Sequence, residues 1–187
     1  MNLAYTLPVL LLAALVAWAL RARRRGREWL PVVNKKGEVI GKATRRRCHD
    51  GSRLLHPVVH LHVVAPSGEI LLQKRGKRKA LLPGKWDAAV GGHVSAGEPV
   101  EAALKRESLE ELGITRLTAR FLGSYIWETD RERELVHAFL CTGRDEIRAN
   151  TGEVEEARFW SRTAIEEPAN AALFTPNFLH EYALFLK

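Results

Sequence analysis

Cysteine is almost missing from this 187-residue chain, which has Cys48 and Cys141 and no others. Two thiols cannot form a disulfide framework, and no regular metal spacing connects them, so their use fits a reducing compartment. No internal repeat is present, and no low-complexity linker lies outside one arginine cluster, so Trp29 to Lys187 reads as a single domain. The length allows one domain with a real core and little more. With 46% hydrophobic and 27% charged residues, the balance is that of an ordinary globular chain.

The surplus of positive charge sits where it implies no specific nucleic-acid binding. Of the formal net charge of +7, most belongs to Arg21, Arg23, Arg24, Arg25 and Arg27 in the segment RARRRGR. Directly before it, Leu3 to Leu20 carries no charge, and as a helix this run nearly spans a hydrocarbon core. Trp18 stands where an interfacial aromatic belongs, and Pro8 is close enough to the start to weaken the helix only modestly. An export signal would need basic residues before the apolar run and a small-x-small site after it, and the chain has neither. The expectation is a membrane anchor over residues 1–28, single-pass in the inner (cytoplasmic) membrane, with the arginines and the domain 29–187 in the cytoplasm. A solvated basic tail or a peripheral amphipathic segment is the alternative.

Within the domain, VVNKKGEVIGKATR predicts a hairpin from Val32 to Arg45 around Lys36-Gly37. Two further strands, Val58 to Val64 and Ile70 to Gln73, flank a turn at Pro66-Ser67-Gly68. A helix follows from Pro99 to Leu112, then strands near Ala119 to Trp127 and Leu135 to Cys141, and a C-terminal helix from Pro176 to Leu186. The order predicts an α/β fold with a mixed sheet and helices packed on it.

The helix raises the chemical question. Pro99 suits its first turn and Gly113 the position past its end. Glu107, Glu110 and Glu111 stand at i, i+3 and i+4, so three carboxylates share one face, and like charges at that spacing repel by a few tenths of a kcal/mol per pair. A bound cation offsets this repulsion; an exposed acidic face paired with Lys105 and Arg106 is the plainer reading. Leu104, Ser108 and Leu112 form the stripe that packs on the sheet.

Gly92, Glu98, Arg106, Glu107, Glu110, Glu111, Gly113 and Ile114 together resemble the Nudix box, a glycine, five residues, a glutamate, seven residues, then REUxEExGU with U a bulky aliphatic residue. Ser108 departs from it, standing where an aliphatic residue is usual. The resemblance implies a Nudix α/β/α sandwich whose loop and helix hold Mg²⁺ or Mn²⁺ against a diphosphate. Glu107, Glu110 and Glu111 would then be ligands, and Arg106 would pair with Glu98. Gly91 and Gly92 would permit a tight backbone conformation beside the ligand. The implied activity is metal-dependent hydrolysis of a phosphoanhydride in a small-molecule diphosphate, nucleoside-diphosphate-linked or related.

LHPVVHLHVV and LLQKRGKRKALLPGKWDAAVGGH further resemble the Nudix branch that includes isopentenyl-diphosphate isomerases. Those enzymes bind a metal through three histidines and an ExE pair, which here implies His49, His56, His93, Glu132 and Glu134. Mixed imidazole and carboxylate ligands suit Mn²⁺, Zn²⁺ or Fe²⁺. Lys74, Arg75 and Lys79 correspond to diphosphate-holding positions, although KRGKRK also reads as a merely soluble loop. His60 and His62 alternate with the apolar residues of their strand and read as structural or substrate-near, and Trp86 reads as core. Isomerisation needs a cysteine directly before the GH of the loop and a tryptophan after the proline of FTPNF. This chain has Gly91 and Asn177 there and keeps all three helix glutamates, so the resemblance favours hydrolysis over isomerisation or a non-catalytic diphosphate-binding module. Glu111, then Glu132, Glu134 and His93, are the candidates for a general base.

Overall fold

The computed structural model describes residues 28–77, 79, 81–142, 147 and 154–187. The expected hairpin is present: β1 (Trp29–Val33) pairs antiparallel with β2 (Val39–Thr44), and Gly37 takes the positive φ of 82° that its turn requires. The hairpin ends one residue early, because the Thr44 hydroxyl accepts the Arg47 N–H and starts the single-turn helix α1 (Arg45–Cys48). Val33 packs with Leu55 and Leu135, which seats the hairpin on the main sheet.

The main sheet is built around β3 (Leu55–Val64), nine of whose ten residues are buried, as a central strand requires. Then come β4 (Ile70–Arg75), β5 (Trp86–Asp87), β6 (Val90–His93), α2 (Val100–Leu112), β7 (Arg120–Glu128), β8 (Arg133–Thr142) and β9 (Val154–Trp160). The order is β5-β4-β3-β8-β7, with β6 on β3 and β9 on β4. β3 and β8 run parallel from Leu55↔Arg133 to Val64↔Thr142, while the other pairs are antiparallel, so the sheet is mixed as expected. One edge of β3 is divided: Val63 and Val64 pair with β4, whereas Val58 to Leu61 pair with β6. The two partners diverge, and the space between them becomes the site.

Strand alternation sorts the two faces. Val59, Leu61 and Val63 pack with Ala103, Leu104 and Leu112 of α2. On the other face, Ile70, Leu72, Trp86 and Trp160 pack with Ile165 of α3 (Arg162–Glu166), Phe178 of α4 (Pro176–Glu181) and Tyr182 of the closing π-helical turn Tyr182–Leu186. A 3-10 segment, Pro168–Leu173, leads from α3 to Phe174, which makes an isolated parallel bridge to Trp86 just before α4. Helices therefore cover both faces, and Trp86 is core as expected.

Boundaries differ in detail. Pro99 is the N-cap of α2 and not part of its first turn, with φ −66° and ψ 147°. Gly113 takes the left-handed conformation at φ 67°, and the N–H groups of Gly113 and Ile114 close on the carbonyls of Leu109 and Ser108. The C-terminal helix is shorter than predicted as an α-helix, since its last turn widens to π. Among the described residues no helix is long and apolar enough to cross a membrane. The expected anchor, residues 1–28, lies outside the described residues except for Glu28, which pairs with Arg45 and belongs to the folded domain.

Ser108 lies fully buried in α2 and its hydroxyl has no hydrogen-bond partner. Removing an unsatisfied buried hydroxyl recovers about 1 kcal/mol. Ser108→Ala should therefore raise the unfolding free energy by about that amount in urea titrations; a loss of stability would show that the hydroxyl is paired.

Candidate active site

The site begins at the two glycines of β6. Successive residues of a strand face opposite sides. A Cβ on Gly92 would lie 2.2 Å from the Glu107 carboxyl carbon, whereas one on Gly91 would face His60, 3.5 Å from its Cδ2 and Nε2. Neither glycine has positive φ. This corrects the expectation of a special backbone conformation: at Gly92 glycine is required for clearance, while at Gly91 a Cβ would only make ordinary contact with the His60 ring.

On the α2 side the acids are turned inward, which removes the reading of a solvated acidic face. Glu107 and Glu111 are buried, and Glu110 is partly exposed. Arg106 braces them as expected: its guanidinium donates to both oxygens of Glu98 at 2.8 Å, to Glu107 at 2.6 Å and to the His93 carbonyl at 2.9 Å. The Glu98 bonds, opposed by partial desolvation, raise the Arg106 pKa above its already high ordinary value. Glu111 Oε2 accepts from the Gln73 amide at 2.9 Å and the Gly91 N–H at 3.2 Å. Burial pushes Glu111 up to about 7, with Glu107 reinforcing and Lys79 opposing.

On the opposite side of β6 lies an imidazole cluster. His49 follows α1, His56 stands in β3 and His93 ends β6, and one ring nitrogen from each lies within 4.8 Å of the others. His56 Nδ1–H donates to the Leu54 carbonyl at 2.8 Å, leaving Nε2 as a buried lone pair without a partner. His49 Nδ1 pairs with Glu132, and its Nε2 lies 2.9 Å from Nε2 of His93. Burial pulls His56 down to about 4 and His93 well below the usual imidazole range, so both rings are neutral. Glu132, against the effect of burial, is held low by His49, while burial and then Glu132 raise Glu134, which stands opposite His56 in the parallel register. Neutral imidazoles with outward carbonyl and carboxylate bonds and one orphaned lone pair fit a transition-metal ion. Of the five residues implied for this centre, the three histidines converge, Glu132 bonds His49, and Glu134 lies opposite His56 in the strand register. Among the described residues, the helix glutamates do not converge in the same way.

Both clusters open on one cavity of about 1150 Å³, which Arg75, Lys79, Trp127 and Asn177 also line. Lys74 does not belong to it: Lys74 Nζ is 3.4 Å from Glu155, because alternation along β4 directs its neighbour inward instead. Arg75 reaches the cavity but is already paired with Asp87 at 2.8 Å. Asn177 accepts a hydrogen bond from Tyr125. Sequence reasoning missed Gln73 and Glu181. Glu181 lies fully buried behind His60, its Oε2 3.0 Å from His60 Nδ1 and 3.2 Å from His62 Nε2. The alternation of His60 and His62 pointed to this place, but nothing near them in the chain pointed to their partner.

Inward-turned acids beside the Gly91 amide, in a cavity that Arg75 and Lys79 also line, suit a hydrolytic enzyme of the pyrophosphohydrolase class. The chain belongs to the Nudix family: the NUDIX domain model matches residues 54–182. The Nudix hydrolase YfcD of Escherichia coli (strain K12) is 34% identical over 160 residues, covering 86% of this chain and 87% of that protein. An isopentenyl-diphosphate Delta-isomerase of Brevibacterium linens is 28% identical over 151 residues, covering 78% and 83%. The crystal structure of DR0079 from Deinococcus radiodurans superposes with a TM-score of 0.67 at 24% identity, covering 79% of this chain and 92% of that one.

The Gly92 clearance is directly testable. Gly92→Ala forces Glu107 away from β6 and from Arg106, so turnover should fall at least tenfold while circular dichroism stays native. Wild-type turnover would show that Glu107 has room to move without consequence.

Proposed function

We propose that this enzyme is a metal-dependent hydrolase that cleaves a diphosphate linkage in a nucleoside-diphosphate-linked or related small molecule. The observation that carries this reading is the burial of Glu107 and Glu111 against β6, at the wall of a cavity that also presents Arg75 and Lys79. Buried like-charged acids are costly unless cations compensate them. Glu107, Glu110 and Glu111 would hold Mg²⁺ or Mn²⁺; His49, His56, His93, Glu132 and Glu134 would hold a second ion, for which Mn²⁺, Zn²⁺ or Fe²⁺ suits the donors. When bound, such ions neutralise phosphate oxygens and acidify water.

The protein groups have separable tasks. Gln73 and the Gly91 amide hold Glu111 Oε2, so Oε1 is the atom left to face the ion and the attacking water. Arg106 keeps Glu107 in place through its bond to Glu98 and to the β6 carbonyl. Lys79 and, after exchange from Asp87, Arg75 are the cations within reach of phosphate oxygens; the disposition of Lys74 removes it from this role. Isomerase chemistry lacks its thiol, since Cys48 and Cys141 are buried in apolar clusters away from the cavity. A non-catalytic diphosphate-binding module would keep the same cavity without turnover.

The full-length protein, tested on a panel of nucleoside-diphosphate sugars, dinucleotides and prenyl diphosphates, should release phosphate-containing products only with a divalent metal. Absence of turnover with every metal would favour the binding module. Glu111→Gln should lower kcat at least 100-fold without lowering the melting temperature, because shape is kept and a buried charge is removed. An unchanged kcat would take Glu111 out of the mechanism.

We also infer that residues 1–27 anchor the chain in the cytoplasmic membrane, with the domain on the cytoplasmic side. The support is the charge-free run Leu3 to Leu20 followed at once by five arginines. Uncleaved protein should stay in the membrane pellet after a carbonate wash, and recovery in the soluble fraction without detergent would exclude the anchor.

A further inference from the structure

His60 and Glu181 form a pair that neither the helix glutamates nor the imidazole cluster requires. Four residues separate His60 from His56 on the same face of β3, about 13 Å of strand, so His60 lies beyond the metal-binding group. Glu181 reaches it from α4, with both carboxylate oxygens 3.0–3.1 Å from Nδ1. That bond commits Nδ1–H and fixes the ring. The opposite edge of the ring, with Cδ2 and Nε2, lies at the cavity wall where Gly91 has no side chain to cover it.

We propose that His60, positioned by Glu181, donates Nε2–H to a hydroxyl or carbonyl oxygen of the organic part of a substituted diphosphate bound in this cavity. The inference rests on the hydrolase reading above and adds a substrate class to it: diphosphates of polar, oxygen-bearing groups rather than of hydrocarbon chains.

Charge decides the kind of oxygen. Glu181 is fully buried, and a carboxylate there needs a cation. Burial lowers the His60 pKa, but the Glu181 charge and hydrogen bond outweigh it and push His60 up to about 9. The pair is then an imidazolium and a carboxylate, neutral in sum. Around it stand Asp87 of β5, Glu134 of β8, Tyr125 of β7 and His62 of β3; Asp87 is already paired with Arg75. The pair itself therefore brings no net positive charge with which to hold a phosphate. What the pair offers is one directional N–H in a dry wall, which matches a neutral oxygen acceptor.

Purified full-length enzyme with Mg²⁺ should be compared on ADP-ribose and on isopentenyl diphosphate. His60→Phe, which keeps a ring and removes the donor, should lower kcat/KM for ADP-ribose by about 10- to 100-fold. The same variant should leave isopentenyl diphosphate within threefold, and His60→Gln, which restores an N–H, should recover part of the loss. Equal losses on both substrates would mean that the pair only holds the fold, and would overturn the proposal. Should either variant fail to fold, nitrogen NMR of the wild-type imidazoles decides: His60 Nε2 should shift on addition of Mg²⁺ with ADP-ribose and not with Mg²⁺ and inorganic pyrophosphate. A His60 resonance unmoved by ADP-ribose overturns the proposal. Glu181→Gln should erase the imidazolium signature of His60 at pH 8, a readout that a packing role would leave in place. Lack of turnover by the wild-type enzyme on every substrate would sink the hydrolase reading instead, and the NMR titration would still judge His60.

Discussion

At Gly92 a side chain would occupy the space that Glu107 now fills, and at Gly91 it would cover the inner edge of His60. The site depends on the clearance at Gly92 and on the bare edge of His60 left at Gly91. A two-residue gap in the side-chain layer of one short strand lets an acid helix approach from one face and an imidazole from the other. It also exposes the Gly91 N–H to Glu111. One strand of four residues thus serves two chemistries at once, because alternation places its neighbours back to back.

The second constraint is electrostatic. A fold of this size cannot bury several carboxylates without assigning each a partner. Arg106 takes Glu98 and Glu107, Gln73 and a backbone amide take Glu111, His49 takes Glu132, and His60 takes Glu181. The partnerships differ in completeness. Glu181 is fully compensated and stays ionised, whereas Glu111 and Glu134 are raised by burial that their partners do not cancel. Groups left incompletely compensated line the cavity, where an ion or a proton completes them. This is the physical difference between a buried acid that holds structure and one poised for chemistry.

Much of the frame was legible from local pattern. The Lys36-Gly37 hairpin, the β3 run and the glutamate helix with Gly113 at its end all follow from short-range rules, and all are present; the three histidines were grouped only by the family resemblance. β5, β6 and β9 escaped notice because short or charge-rich strands carry little periodicity; β6 is four residues, two of them glycine. Lys74 was grouped with Arg75 and Lys79 through the isomerase resemblance, yet Lys74 meets Glu155 while Arg75 lines the cavity. The role of the glycines was read as backbone freedom, when clearance for Glu107 at Gly92 is what the structure requires.

The amino-acid sequence by itself determined the spacing of Glu107, Glu110 and Glu111, the arginine one residue before them and the glycines upstream. Those features are local, since a helix turn and a strand repeat convert sequence separation directly into direction. Which acids are buried, which histidine meets which carboxylate and which cations reach the cavity were decided only by the tertiary structure. His60 and Glu181 lie 121 residues apart in the chain. Only the packing of α4 against the sheet brings them together, and the mutual attraction and hydrogen bond made at that contact, working against desolvation, give the pair its charge.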